Sequence, residues 1–273
     1  MTRPSLAFMR SVALAGAVTC LVGAGLFGAL NASDAKWLRG RPATCLSSHC
    51  FCEKVRTSIP RQPADTWSSL AYVFAGFVLM LRPLRQLLRT RRGVLTDLLA
   101  VLLVVIGIGS FVYHATLVFV GQFVDVFGMY LLGMLLICAA LVRLRLVTAR
   151  NAVLLYITSN TVLGFLQYAY PDLRRYLFAL ILIPGIIAEF LPRISIVPPS
   201  NRRPLQFGFL TLVVAYIFWL LDQNLVLCSG RSLLQGHALW HVLTAGAVLF
   251  LAAHYSQTAG GLEPRGTASE SIA

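Results

Sequence analysis

Charge is what this sequence has least of. Only 12% of its 273 residues are Asp, Glu, Lys or Arg, and just 10 are acidic. With 58% hydrophobic residues and a mean hydropathy of +0.76, the chain is excluded from the ordinary soluble domains. The period-2 alternation of an outer-membrane β-barrel is missing as well. So are zinc-finger spacings, a basic helix and any RNA-binding signature, so the net charge of +13 does not read as a nucleic-acid surface. No low-complexity tract and no strong internal repeat stands out.

What the chain does have is apolar runs of roughly 20 residues, each long enough to cross a hydrocarbon layer of ~30 Å. Inside a bilayer the backbone must satisfy its own hydrogen bonds, so the spans are expected to be helices. The expected fold is all-α: a polytopic transmembrane bundle of seven core helices with one extra hydrophobic helix before them. The core spans fall at about 66–81, 94–117, 122–142, 151–170, 175–191, 205–224 and 236–256. Residues 1–44 then hold the N-terminal hydrophobic helix and a polar linker, 45–256 the seven-helix domain, and 257–273 a disordered tail. The first run, 6–30, is rich in small residues and ends Ala-Leu-Asn-Ala-Ser-Asp-Ala, as signal sequences do. Its length favours a retained signal anchor over a cleaved peptide.

The basic residues lie between the runs and at their ends, which is the positive-inside pattern. Fourteen of the 23 Lys and Arg fall on the side that holds both termini, among them Arg82, Arg85, Arg89, Arg91 and Arg92. Nine fall on the other side, six of them in the long 31–65 loop. Both termini are therefore expected in the cytoplasm.

In this apolar setting a few polar residues are conspicuous, because ionisable groups inside a membrane are costly and mark function. Ser110 and His114 are four residues apart and share a helix face. Asp125 follows after a break expected at Gly121-Gln122. Near the other end, His237-Ala-Leu-Trp-His241 forms a second i, i+4 pair. Under the predicted topology all of these lie towards the non-cytoplasmic face, as do Asp65, Cys45, Cys50, Cys52 and Cys228. If that side is oxidising, disulfides can form among the cysteines. Cys20 and Cys138 fall inside apolar runs and read as small core residues.

Three neutral imidazoles plus one open position make a catalytic zinc site. Such a site hydrolyses an amide or ester. Asp125 is placed to take the proton from water and return it to the leaving amine, or to orient a histidine. Ser110 is placed to donate to a developing oxyanion, or simply to bond back to its own helix. The accessible substrate in a helix bundle is a lipid. Other polar residues read as bland: His254 lies towards the inner end of the last helix, His49 in a solvated loop, Asp222 and Gln223 near the rim, and Glu189 at the cytoplasmic interface.

Gly-Ile-Gly-Ser-Phe-Val-Tyr-His-Ala-Thr-Leu (107–117), followed by Gln122 and Asp125, resembles the Ser/His/Asp region of the alkaline ceramidase family. His-Ala-Leu-Trp-His-Val-Leu-Thr (237–244) and the Phe218-Trp-Leu-Leu-Asp222…Cys228 approach to it are similar to that family's C-terminal motif. The resemblance covers about residues 50–256. It implies a seven-helix membrane hydrolase of the superfamily that includes the adiponectin-receptor-like proteins. It also implies Zn2+ on His114, His237 and His241, catalytic Ser110 and Asp125, a Cys52–Cys228 disulfide, and ceramide or another N-acyl lipid as substrate.

Two departures stand out. The family's Asp-Glu-x-Pro-Met is here Asp125-Val-Phe-Gly-Met129. Its N-terminal Ca2+ site is reduced to Glu53 and Asp65, too few oxygens for a cation that takes six to eight. The bland alternatives are a solvated charge for Glu53 and a helix N-cap for Asp65. Two other function classes remain open from the sequence. One is a receptor-like or lipid-sensing protein with a closed structural metal site. The other is a transporter, which would spread polar residues along the mid-membrane.

Overall fold

The computed structural model describes residues 6–33, 40–81, 93–191, 202–226 and 228–259. The arginine-rich 82–92 segment, Arg3, Arg193 and the tail from 260 lie outside the described residues. The described chain is all-α: α1 (Leu6–Ala32), α2 (Pro63–Ser68), α3 (Leu70–Met80), α4 (Val94–Thr116), α5 (Phe119–Arg143), α6 (Ala149–Ala169), α7 (Arg174–Phe190), α8 (Arg203–Gln223) and α9 (Gly236–Ala259). Six of them (α1, α4, α5, α6, α8 and α9) are long and apolar enough to cross a membrane. The protein is a multi-pass integral-membrane bundle.

Residues 66–81, expected as one helix, are two. Pro63 starts α2, where its missing N–H costs nothing, and α3 follows through Ser69, whose own torsions are helical (φ −57°, ψ −26°). The two form one interrupted rod. Another correction concerns the α4–α5 turn. The break is at Leu117-Val118, with Leu117 in the left-handed region (φ 50°), and not at Gly121-Gln122, which are helical. Glycine at 121 serves contact: an added Cβ would stand 2.8 Å from the Tyr113 Cα. A Cβ at Gly109 would meet the Asp125 backbone N at 3.1 Å. These two positions let α4 and α5 touch backbone to backbone, which brings Ser110 and Asp125 together.

The bundle is built outward from α4. It packs against α2, α3, α5 and α9; α5 in turn carries α6 and α7, and α8 pairs with α9. Tyr72, Leu99, Leu103, Ile106, Leu136 and Ala245 form the main core. α1 lies against α3, with Leu70 under Gly23 and Phe27 over Trp67. The outer faces of α6, α7 and α8 leave Phe165, Leu180, Ile183, Leu210 and others exposed. In water these would be liabilities; in a bilayer they meet lipid. Glu189, expected at an interface, is buried and paired with Arg143 and the Tyr255 hydroxyl.

The loop before α2 is stitched onto the bundle. Ala43 N donates to Leu117 O (3.0 Å) and Phe119 N to Arg41 O (2.7 Å). Two disulfides, Cys45–Cys50 and Cys52–Cys228, fix the rest. The second closes a sequence separation of 176 residues. Cys228→Ala is therefore expected to cost about 3 kcal/mol, read as a lower unfolding midpoint in detergent under oxidising conditions; an unchanged midpoint would contradict that role.

Candidate metal centre

Two helices deliver three imidazoles to one point. His114 comes from the last turn of α4, and His237 and His241 from the first turns of α9. Their ligand atoms all lie within 4.8 Å of one another. All are buried, at 0%, 5% and 2% exposure. The Nε2 atoms of His114 and His237 are 3.2 Å apart.

Hydrogen bonds decide which nitrogens carry lone pairs. The Gln62 side-chain N–H2 donates to Cys50 O, which leaves its Oε1 facing His114 Nδ1 at 3.0 Å. A carbonyl oxygen requires a donor, so His114 is protonated on Nδ1 and its Nε2 is bare. The Ser68 hydroxyl donates to Asp65 O (3.0 Å), so it accepts from His241 Nδ1 (2.8 Å), and His241 Nε2 is bare too. Buried lone pairs turned towards one another are unfavourable without an electrophile between them. Two nitrogens bound to one tetrahedral zinc at ~2.0–2.1 Å would be separated by about 3.3 Å, close to the separation observed. The donor set therefore fits a metal ion, and the outward N–H of each of these two histidines is held as in metal sites generally. Gln62→Leu is expected to weaken metal binding at this centre about 10–100-fold; competition titration with a chromogenic chelator measures it, and wild-type affinity would contradict the assignment.

The backbone around the centre is pinned by acids used structurally. Both Glu53 carboxylate oxygens accept backbone N–H groups, from Ala64 (2.8 Å) and Asp65 (2.9 Å), and so cap α2. Burial pushes its carboxyl up, opposed by those two bonds. Asp65 is not the N-cap; it lies inside the first turn of α2, and Gln62 precedes the helix. Its carboxylate has no hydrogen-bond partner among the described residues and stands 3.9 Å from His114 Nδ1. Burial raises its carboxyl well above the usual range, and the Glu53 charge adds to this. Asp222 joins the loop to α9, accepting from Cys52 N (2.8 Å) and His237 N (2.9 Å). Phe51 stacks on His237, with ring centroids 3.6 Å apart. It does so from a left-handed conformation (φ 65°), which costs of order 1–3 kcal/mol. A disulfide on each side of Phe51 holds it there.

Ser110 and Asp125 sit beside the histidines. The Ser110 hydroxyl is 3.3 Å from His241 Nε2, and the Asp125 carboxylate accepts a hydrogen bond from Ser110. Asp125, His237 and His241 line a cavity of about 530 Å³, whose far end is walled by Ile106, Met129, Leu182, Ile186, Phe209 and Leu212. A smaller space of about 120 Å³ adjoins that apolar end. His114 stands behind the other two histidines, outside the cavity lining.

A family model described as Ceramidase matches residues 45–266 of this chain. The chain belongs to the alkaline ceramidase family. Among similar proteins is one from Dictyostelium discoideum named Putative alkaline ceramidase dcd3B, 26% identical over 179 residues. That stretch is 58% of this chain and 61% of that protein, so the chain spans about three fifths of the relative's length. Within this ceramidase-family bundle the structure assembles Ser110, His114, Asp125, His237 and His241 at one place. Glu53 and Asp65 lie next to it, outside the histidine group. Sequence reasoning missed Gln62, Ser68 and Phe51, which carry no periodic signal. It placed Asp222 and Gln223 near the rim, where Gln223 indeed lines the cavity. His254 is buried at the other end of α9.

Proposed function

We propose that this protein is a zinc-dependent amidohydrolase of the membrane, cleaving ceramide or a related N-acyl lipid into a fatty acid and a sphingoid base or other amine. The observation that carries the reading is the trio of buried histidines, two with their bare nitrogens fixed inward, opening through His237 and His241 onto a lipid-sized cavity. Among the described residues that group contains no fourth His, Cys, Asp or Glu, which favours an open catalytic position over a closed structural site.

His114, His237 and His241 would hold the ion. Zinc, when bound, supplies a Lewis acid for the amide carbonyl and for a water. Asp125 takes a proton from the attacking water and delivers it to the nitrogen of the leaving amine. Ser110 steadies the Asp125 carboxylate. To stabilise the oxyanion as well, its proton must turn from Asp125 to the substrate oxygen. The apolar end of the cavity excludes water and takes the acyl chain. Residues 45–256 act as one seven-helix domain, with both termini cytoplasmic and the site towards the other face. Calcium has no part in this reading, because both Glu53 oxygens are engaged by backbone N–H groups.

The test is fatty-acid release from ceramide by the purified protein in detergent, before and after chelation. Activity that is lost on chelation and restored by added zinc supports the reading. No release from ceramide or from any simple N-acyl amine by the zinc-loaded protein would overturn it.

A further inference from the structure

The catalytic reading leaves two cations on the cavity unexplained. Arg174 and Arg175, the first residues of α7, line its rim together with His49 and with Gln223 at the end of α8. Two to three turns further along α7 the lining is Leu182, Ile183 and Ile186, so the cavity runs from a cationic rim to an apolar end. Among the described residues the sole carboxylate on the lining is Asp125, which is engaged by Ser110.

Among the described residues neither arginine has a buried carboxylate partner. Arg174 donates through Nη1 to Pro171 O (2.9 Å), and its nearest acid is Asp172 at 3.8 Å. The Asp172 side chain is 92% exposed, so that pair is screened by solvent and weak. Arg175 has no carboxylate partner among the described residues. Its Nη2 donates to Gln223 Oε1 (2.9 Å), and its guanidinium lies 5.6 Å over the Trp219 ring. Gln223 is itself tied to His49, whose Nε2 sits 2.9 Å from Gln223 O. On the Arg174 side, the Tyr130 hydroxyl donates to Arg174 O (2.9 Å) and anchors the backbone. Two adjacent like charges are thus held in position by neutral groups, an arrangement that repels itself until an anion arrives.

Topology does not account for them. In the proposed orientation Arg174, Arg175 and Arg231 are the basic residues on the non-cytoplasmic side outside the 31–65 loop, where positive-inside bias gives no reason for them. The polar groups of ceramide are neutral and bring no charge to balance these cations.

We propose that the cavity selects N-acyl lipids whose amine half carries an anion, a carboxylate or a phosphate, received by Arg174 and Arg175 while the amide faces the histidines and the acyl chain fills the apolar end. This rests on the amidohydrolase reading and narrows its substrate class. The planar guanidinium is suited to both anions, since it presents paired donors to two oxygens.

The experiment uses the full-length zinc-loaded protein in neutral detergent. Hydrolysis of an N-acyl amino acid is compared with that of its methyl ester, and hydrolysis of an N-acyl sphingoid 1-phosphate with that of ceramide. In wild type the anionic member of at least one pair is expected to show a kcat/KM at least tenfold higher, mainly through KM. The pair that responds identifies the anion. In Arg175→Gln that ratio should collapse towards one, and Arg175→Lys should recover part of it. Ratios near one in wild type, or a ratio that survives Arg175→Gln, would overturn the proposal. A loss seen only on anionic vesicles and shared by acid and ester would also overturn it, because the arginines would then be reading the membrane surface. Equilibrium binding of the acid and the ester to metal-stripped wild type and Arg175→Gln separates the two readings. No hydrolysis of any substrate, with tighter binding of the acid that depends on Arg175, sinks the amidohydrolase and keeps the anion site. Hydrolysis with equal binding of both sinks the anion site alone.

Discussion

His237→Ala is expected to purify without stoichiometric zinc and to release fatty acid at less than about a thousandth of the wild-type rate. His237 is one of three buried donors, and its Nε2 stands 3.2 Å from that of His114. Two imidazoles remain in the variant, too few for the three-protein-ligand site that zinc enzymes use. The Lewis-acid contribution, several kcal/mol, goes with the ion; at 1.36 kcal/mol per tenfold, about 4 kcal/mol is three orders of magnitude. The fold should survive. The bond from residue 237 to Asp222 is made by the backbone N–H, and the disulfides hold the loop independently. A helical circular-dichroism spectrum like that of wild type, with metal content near zero, is the expected pair of readings. Full metal retention would remove His237 from the ligand set.

Asp125→Asn should separate chemistry from metal. The amide is nearly isosteric and its oxygen still accepts from Ser110, so the α4–α5 contact at Gly109 and the histidine geometry are preserved. In the proposed mechanism, what disappears is the ability to take a proton from water and return it to the amine. General acid–base catalysis of this kind is worth about 10²–10⁴-fold, so kcat should fall by that factor with zinc content unchanged. A wild-type rate in the variant would show that the proton passes elsewhere. Loss of zinc along with rate would make Asp125 a ligand instead of a base.

How much of this could be read from the sequence follows from which interactions are periodic. The helices were legible because membrane spans must be long and apolar. The i, i+4 pairs Ser110/His114 and His237/His241 were legible because helical spacing puts them on one face. Gln62 and Ser68, which set the protonation of His114 and His241, come from the end of an irregular loop and a six-residue helix. Their placement depends on that loop being tied to Leu117, to Phe119 and through two disulfides, and no local pattern announces such ties. Gly121-Gln122 looked like a helix break because glycine usually is one. In the fold that glycine is a contact surface, and the real break uses Leu117, a residue whose type gives no sign of a left-handed turn. Glu189 reads from the sequence as an acid near the end of a span; its partners Arg143 and Tyr255 lie 46 and 66 residues away, beyond any local pattern.

The measurement that bears most directly on the account is the metal content and coordination of the purified wild-type protein, by elemental analysis with zinc-edge X-ray absorption. One zinc per chain is expected, bound by three nitrogen donors and one light-atom donor from solvent. A zinc-replete preparation with no stoichiometric metal, or with four protein ligands closing the site, would contradict it.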